Sequence, residues 1–78
     1  MSLEAMLKTC RERKGLAYTL CIEGVRRYLR EKPKRRILRE IAQISELQLL
    51  RILWSAGLDA EMQRVALKRM RELMAKKS

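Results

Sequence analysis

The feature that most constrains the fold is a stripe of apolar residues at helical spacing in the first part of the chain. With successive residues about 100° apart, the stripe keeps one face from Leu3 to Tyr28. Because its phase survives past Gly15, we predict one helix over residues 2–32, with Ser2 as the N-cap. A break near Gly15 is the alternative, since glycine commonly ends a helix. The stripe contains Leu3, Met6, Leu7, Cys10, Ala17, Cys21, Gly24, Val25 and Tyr28.

Pro33 separates the first segment from the second, because its ring disfavours helical backbone angles at the residue before it and suits a helix start. The next segment, 34–55, is predicted as one helix or as two helices broken at Ser45. Ser45 and Gln48 fit a capping box, which would restart the helix there. In residues 46–56 apolar side chains cover most of the helical circumference, which predicts a central, mostly buried helix.

The last segment is a helix over residues 59–76, which follows a stop at Gly57 and has Asp59 as its predicted cap. We therefore expect an all-α fold, a small bundle of three to four helices forming a single domain over residues 1–78. A core of this size rarely supplies more than about 3–5 kcal/mol. We therefore also expect a homodimer, or a subunit of a larger complex.

The two cysteines, Cys10 and Cys21, are predicted to be reduced. In one continuous helix their Cα atoms would lie about 16 Å apart at about 1.5 Å per residue, whereas a disulfide needs about 7 Å or less. Both are expected to be small buried apolar residues. Reduced cysteines and an N-terminus without the apolar core of a signal peptide favour a cytoplasmic or other intracellular location.

The residue types give catalysis little support. The chain has no His, its glycines are isolated, and no pair of acids has a spacing suggestive of acid–base chemistry. Zinc ligation would have almost no ligands to use. We therefore expect no enzymatic activity, no cofactor and no metal. No apolar run has the length of a membrane span, so none is predicted.

The net charge of +10 is the strongest indication of function, because it predicts an acidic partner such as nucleic acid, a membrane surface or an acidic protein. The predicted binding surface is a block of basic residues around Pro33, where two helix ends meet. Clustered guanidinium groups suit phosphates through their planar donors. The block comprises Arg26, Arg27, Arg30, Lys32, Lys34, Arg35, Arg36 and Arg39.

A soluble connector between helices is the ordinary explanation of such a run of charge. The block after Pro33 argues against it, because cations at a helix N-terminus oppose the helix dipole. A second basic face is predicted on the last helix, although pairing with nearby acids would explain much of it. This second face comprises Arg64, Lys68 and Arg71.

The expected ligand is the phosphate backbone of duplex DNA or structured RNA, with DNA favoured and little base readout. Single-strand binders usually stack bases on aromatic residues, which are few here. A helix-turn-helix fails because the would-be recognition helix, ELQLLRILWS, is nearly all apolar; residues 59–76 are the better groove-binding candidate. One alternative is a helical adapter that docks on a larger complex through apolar helix faces. Another is membrane-surface binding, which the lack of Trp and Phe in 59–76 weakens.

Overall fold

The computed structural model describes residues 2–76 and is all-helical over that range, which confirms the predicted fold class. Met1, Lys77 and Ser78, the ends of the predicted domain, lie outside the described residues. There are five helices where three to four were expected, because both candidate breaks occur. The helices are α1 (Leu3–Arg11), α2 (Gly15–Glu31), α3 (Lys34–Ala42), α4 (Leu47–Ser55) and α5 (Ala60–Lys76).

The prediction of a continuous first helix is wrong. α1 ends at Arg11, and Gly15 adopts a φ of 61° at the start of α2. This left-handed conformation is readily available only to glycine, and it lets the chain turn from α1 into α2. The two helices then pack against each other. In α1 the stripe residues Leu3, Leu7 and Cys10 are buried, whereas in α2 only the later stripe residues Val25 and Tyr28 are buried and Ala17 is exposed.

The prediction of reduced cysteines is also wrong, and for the same reason. Cys10 in α1 and Cys21 in α2 have Cα atoms 5.5 Å apart and form a disulfide. The separation that excluded this bond was calculated for one straight helix. The turn at Gly15 folds α2 back against α1, so that calculation does not apply. The intracellular location loses one of its two arguments, since it rested partly on free thiols.

Helix capping follows the sequence at two starts and departs from it at a third. The hydroxyl of Ser2 accepts the N–H of Ala5 at 3.1 Å, and the carboxylate of Asp59 accepts the N–H of Met62 at 2.8 Å, as predicted. The capping box predicted at Ser45 is wrong. The hydroxyl of Ser45 donates instead to the carboxylate of Glu4 in α1 at 2.7 Å, and α4 starts without a side-chain cap. A charged acceptor forms the stronger hydrogen bond.

Long-range contacts define how the helices run. Lys34 at the start of α3 pairs with Asp59 and Glu61 at the start of α5, while Arg69 in α5 donates to the carbonyl of Ile44, just past α3, at 2.7 Å. α3 and α5 therefore pack side by side and run in the same general direction. α4 runs opposite to α5, because residues at the start of α4 and at the end of α5 line one cavity. α1 packs against α2, α3 and α4.

The core lies between these helices, and α4 contributes a large part of it. Three leucines of α4 are fully buried, while the polar positions Gln48, Arg51 and Ser55 are exposed. Other α4 side chains are half-buried, so apolar surface surrounds most of the helix. The largest fully buried side chains are Leu3, Leu7, Ile37, Ile41, Ile44, Leu49, Leu50, Leu53, Val25 and Cys10. None of the described helices is both long and apolar enough to cross a membrane.

Candidate nucleic-acid interface

The joint between α2 and α3 is built around Tyr28. Lys32 is extended and Pro33 caps α3, as expected of a residue before proline and of proline at a helix start. Tyr28 is buried, and its hydroxyl donates to Glu40 at 2.7 Å. The Nζ of Lys32 lies 5.6 Å from the centre of the Tyr28 ring, and the guanidinium carbon of Arg36 lies 6.0 Å from it. These cations therefore pack on an aromatic face, which is a stabilising contact.

Glu40 connects α3 to both preceding helices. Its carboxylate accepts the backbone N–H of Leu3 at 2.8 Å as well as the hydroxyl of Tyr28, and Arg36 donates to it at 3.3 Å. Burial acts to raise the pKa of Glu40, but these hydrogen bonds and the charge of Arg36 outweigh it and hold the pKa below its ordinary value. Burial, followed by the hydrogen bond to Glu40, raises the pKa of Tyr28. Arg36 is therefore a structural residue as well as a predicted binding residue.

Two more of the predicted binding residues are held by contacts within the protein. Arg26 donates through Nε to the carbonyl of Ala56 at 2.9 Å and pairs with Glu23. Lys34 pairs with Asp59 and Glu61, and the hydrogen bond to Asp59 raises the pKa of Lys34. Asp59, just before α5, and Glu61 in its first turn thus compensate the cation at the start of α3. A cation at the N-terminus of α3 opposes the helix dipole, and these acidic partners explain why Lys34 is tolerated there.

The other predicted residues of the joint and of the last helix are exposed. Within residues 2–76 none of them forms an ion pair or a side-chain hydrogen bond. Their guanidinium and ammonium groups are therefore available to an external anion. These residues are Arg27, Arg30, Arg35, Arg39, Arg64, Lys68 and Arg71.

The fold places part of this exposed charge on two helices that pack against each other, α3 and α5. On α3 the exposed basic side chains lie away from the buried Ile37 and Ile41, and on α5 they lie away from the buried Met62 and Ala66. Because α3 and α5 pack side by side, the two sets lie on neighbouring helices. We call the exposed basic side chains of these two helices the α3–α5 basic face, and they are Arg35, Arg39, Arg64, Lys68 and Arg71.

Arg27 and Arg30 lie on α2, outside the α3–α5 basic face. Arg27 borders a cavity with Met6 and Gly24, on the side of α2 that faces α1. Arg30 borders a different cavity, which contains Lys34 and the turn between α4 and α5. The predicted joint is thus divided, and only its second half joins the basic residues of the last helix.

Sequence reasoning missed the contact between the joint and the α4–α5 turn. Arg26 and Ala56 are separated by 30 residues, and no local pattern signals their hydrogen bond. It also left out the exposed cations Arg13, Lys14 and Arg51, which stand apart from the predicted clusters. Arg51 had a signal, because it lies on the narrow polar strip of the otherwise apolar α4.

No family model, curated protein or solved structure matches the chain. A functional proposal therefore rests on the chemistry of its surface. Exposed guanidinium groups on neighbouring helices suit a row of phosphates, because each presents several donors in one plane. The net charge of +10 favours the approach of any polyanion.

Proposed function

We propose that this protein binds nucleic acid by contacting the phosphate backbone of duplex DNA or structured RNA, with DNA favoured. The observation that carries the proposal is the α3–α5 basic face, whose side chains have no acidic partner within residues 2–76. A stability role would instead pair such charges with acids, as the fold does for Lys34 and Arg69. Self-repulsion within the face costs stability, and phosphates would relieve it.

A duplex or structured nucleic acid is favoured over a single strand because the aromatic side chains are buried or half-buried. Tyr28 is buried against Glu40, and Trp54 and Tyr18 pack against the core. A stacking platform for unpaired bases would need exposed rings. The exposed length of α5 carries Arg64, Lys68 and Arg71, so α5 is the proposed element nearest the nucleic acid.

The experiment is a titration of labelled duplex DNA and duplex RNA at several salt concentrations. Affinity should fall with the logarithm of salt at a slope near −0.9 per phosphate contacted on duplex DNA. The variant R35Q/R39Q/R64Q should lose affinity and reduce the slope by about 2–3. The control R13Q/K14Q/R51Q removes the same charge from exposed sites outside the face and should change the slope less. Equal effects of the two variants would refute the assignment of the face.

A helical adapter is the second candidate, and exposed apolar side chains favour it. Leu16 and Leu20 are one turn apart on α2 and are 74% and 63% exposed. Met74 on α5 is 59% exposed. An adapter predicts a defined complex that survives nuclease treatment and that L16S/L20S abolishes. It also predicts negligible binding to either duplex near physiological salt.

An intracellular location is part of the proposal, and it now has to accommodate the disulfide. Disulfides are rare in reducing compartments, with intracellular proteins of hyperthermophiles as an exception. The chain has no Asn and many Arg and Glu, which favours a thermophilic source, whereas its five Met residues argue against one. Alkylation of free thiols at the moment of cell lysis would test whether the disulfide is present inside the cell. If both cysteines of the protein were fully alkylated, the bond would be absent there.

A further inference from the structure

We propose that the cavity between α2, the start of α3 and the α4–α5 turn binds one phosphate group. This inference deepens the proposed function and rests on it, because the phosphate would be one of the nucleic-acid backbone. The cavity is open and has a volume of about 390 Å³, near the small end of the range for ligand sites. Its lining consists of Arg26, Leu29, Arg30, Lys34, Ala56, Gly57, Asp59 and Met62.

Arg26 is held in place at this cavity before any ligand arrives. Its Nε donates to the carbonyl of Ala56, and its Nη1 donates to Glu23. A guanidinium group has five N–H donors in a fixed plane, so donors remain for an anion. The two existing bonds reduce the conformational entropy that binding would cost.

Arg30 supplies the cation that is free to move onto the ligand. It lies one turn after Arg26 on the same side of α2, and it has no hydrogen-bond or ion-pair partner within residues 2–76. Leu29, Ala56 and Met62 are buried side chains at the cavity wall. Apolar surroundings of this kind strengthen a charge–charge contact relative to open water.

Lys34 and Asp59 set the balance of charge at the cavity. Lys34 is the third cation in the lining, and its partner Asp59 is the acid there. An entering phosphate would share Lys34 with Asp59 and would be repelled by the Asp59 carboxylate. The carboxylate also caps α5 through the N–H of Met62, and this role explains its presence. The site is therefore cationic overall, and its affinity should rise when Asp59 loses its charge.

The test compares R30Q with R51Q, since both remove one exposed arginine. We expect R30Q to weaken binding of a short DNA duplex about tenfold, as expected for a hydrogen bond to a charged group, and to reduce the salt slope by about 0.9. R51Q should have a smaller effect. D59N keeps a good helix cap and should bind the duplex more tightly than the control E12Q. Circular dichroism would verify that all four variants fold.

A second measurement separates this inference from the function on which it rests. Inorganic phosphate is titrated into the labelled protein while the amide resonance of Gly57 at the cavity is followed. If the wild type binds the duplex and R30Q behaves like R51Q, the cavity assignment is overturned and the proposed function stands. If the duplex does not bind but phosphate shifts Gly57 in wild type and not in R30Q, the cavity is a site for free phosphate. If the duplex does not bind and phosphate does not shift the Gly57 resonance, both the cavity assignment and the proposed function are overturned.

Discussion

The hydroxyl of Tyr28 donates a hydrogen bond to the carboxylate of Glu40 over 2.7 Å, and this contact joins α2 to α3 across Pro33. The same carboxylate accepts the backbone N–H of Leu3 at the start of α1. One acid thus joins three helices at the place where the basic side chains are densest. The largely buried carboxylate of Glu40 therefore links the helices that carry the basic residues around Pro33.

We expect E40Q to destabilise the fold. Glu40 is 17% exposed, and the amide would keep the oxygen contact to Leu3 while losing the charge that Arg36 and Tyr28 address. Hydrogen bonds to a charged group contribute about 1.5–3 kcal/mol, so the free energy of unfolding should fall by about 2 kcal/mol. Urea denaturation followed by circular dichroism measures this. R39Q, which removes an exposed charge of α3, should not lower the free energy of unfolding, and an equal loss in both variants would contradict the role given to Glu40.

Stability should fall in acid, and Glu40 should account for part of the fall. Burial opposes it, but hydrogen bonds hold the pKa of Glu40 in the folded state below its ordinary value, and Arg11 and Lys34 do the same for Glu46 and Asp59. Since the folded state has the lower pKa, the stabilisation is present above the ordinary carboxyl pKa of about 4 and is lost as the pH falls through the folded-state pKa.

The midpoint of urea unfolding should therefore be constant near neutrality and decrease below about pH 4. E40Q should show a shallower decrease than wild type over the same range. A wild-type midpoint that rises on acidification would contradict the direction of all three pKa shifts.

Reduction of the disulfide should loosen the start of α2. Most side chains from Gly15 to Leu20 are exposed, so the bond between Cys10 and Cys21 is the main link of this stretch to α1. Chain-entropy estimates for a loop of this length give a loss of about 3 kcal/mol on reduction. Thermal unfolding with and without a reductant checks the loss, and C10A/C21A should be insensitive to the reductant.

Hydrogen exchange gives the location of this effect. Amides in the first turns of α2 should lose protection on reduction, whereas amides around Ile37 and Ile41 in α3 should keep most of theirs. Uniform loss of protection along the chain would mean that the disulfide supports the whole core instead of one helix pair.

A homodimer, which the small size of the core leads us to expect, should respond to salt in the opposite sense to nucleic-acid binding. Each copy carries a net charge of +10, so association through exposed apolar side chains such as Leu16 and Leu20 works against charge repulsion. Salt screens that repulsion, and dimerisation should strengthen as salt rises. Sedimentation at a concentration on the order of tens of micromolar measures it. A monomer at all salt concentrations would refute the dimer, and L16S/L20S serves as the dissociated reference.

The sequence by itself determined the helices and several of their ends. Apolar periodicity, the caps at Ser2 and Asp59 and the stop at Pro33 are local features, and each acts through neighbours within a turn or two. It also identified the basic side chains, because their number and clustering are properties of composition. The sequence could not decide between one continuous helix and two helices separated at Gly15. Two helices that pack against each other can show the same apolar periodicity as one long helix.

The tertiary structure alone decided which groups meet. The turn at Gly15 places Cys10 next to Cys21, and the two form a disulfide. The hydroxyl of Ser45 donates to Glu4 in α1 and therefore does not cap α4 as expected. Packing of α5 beside α3 paired Lys34 with acids and left the α3–α5 basic face without them. The physical reason is range: helix formation depends on residues a few positions apart, whereas charge pairing and disulfide formation depend on how separate helices pack. Which cations pair within the protein and which stay exposed without a partner is therefore decided by the tertiary fold.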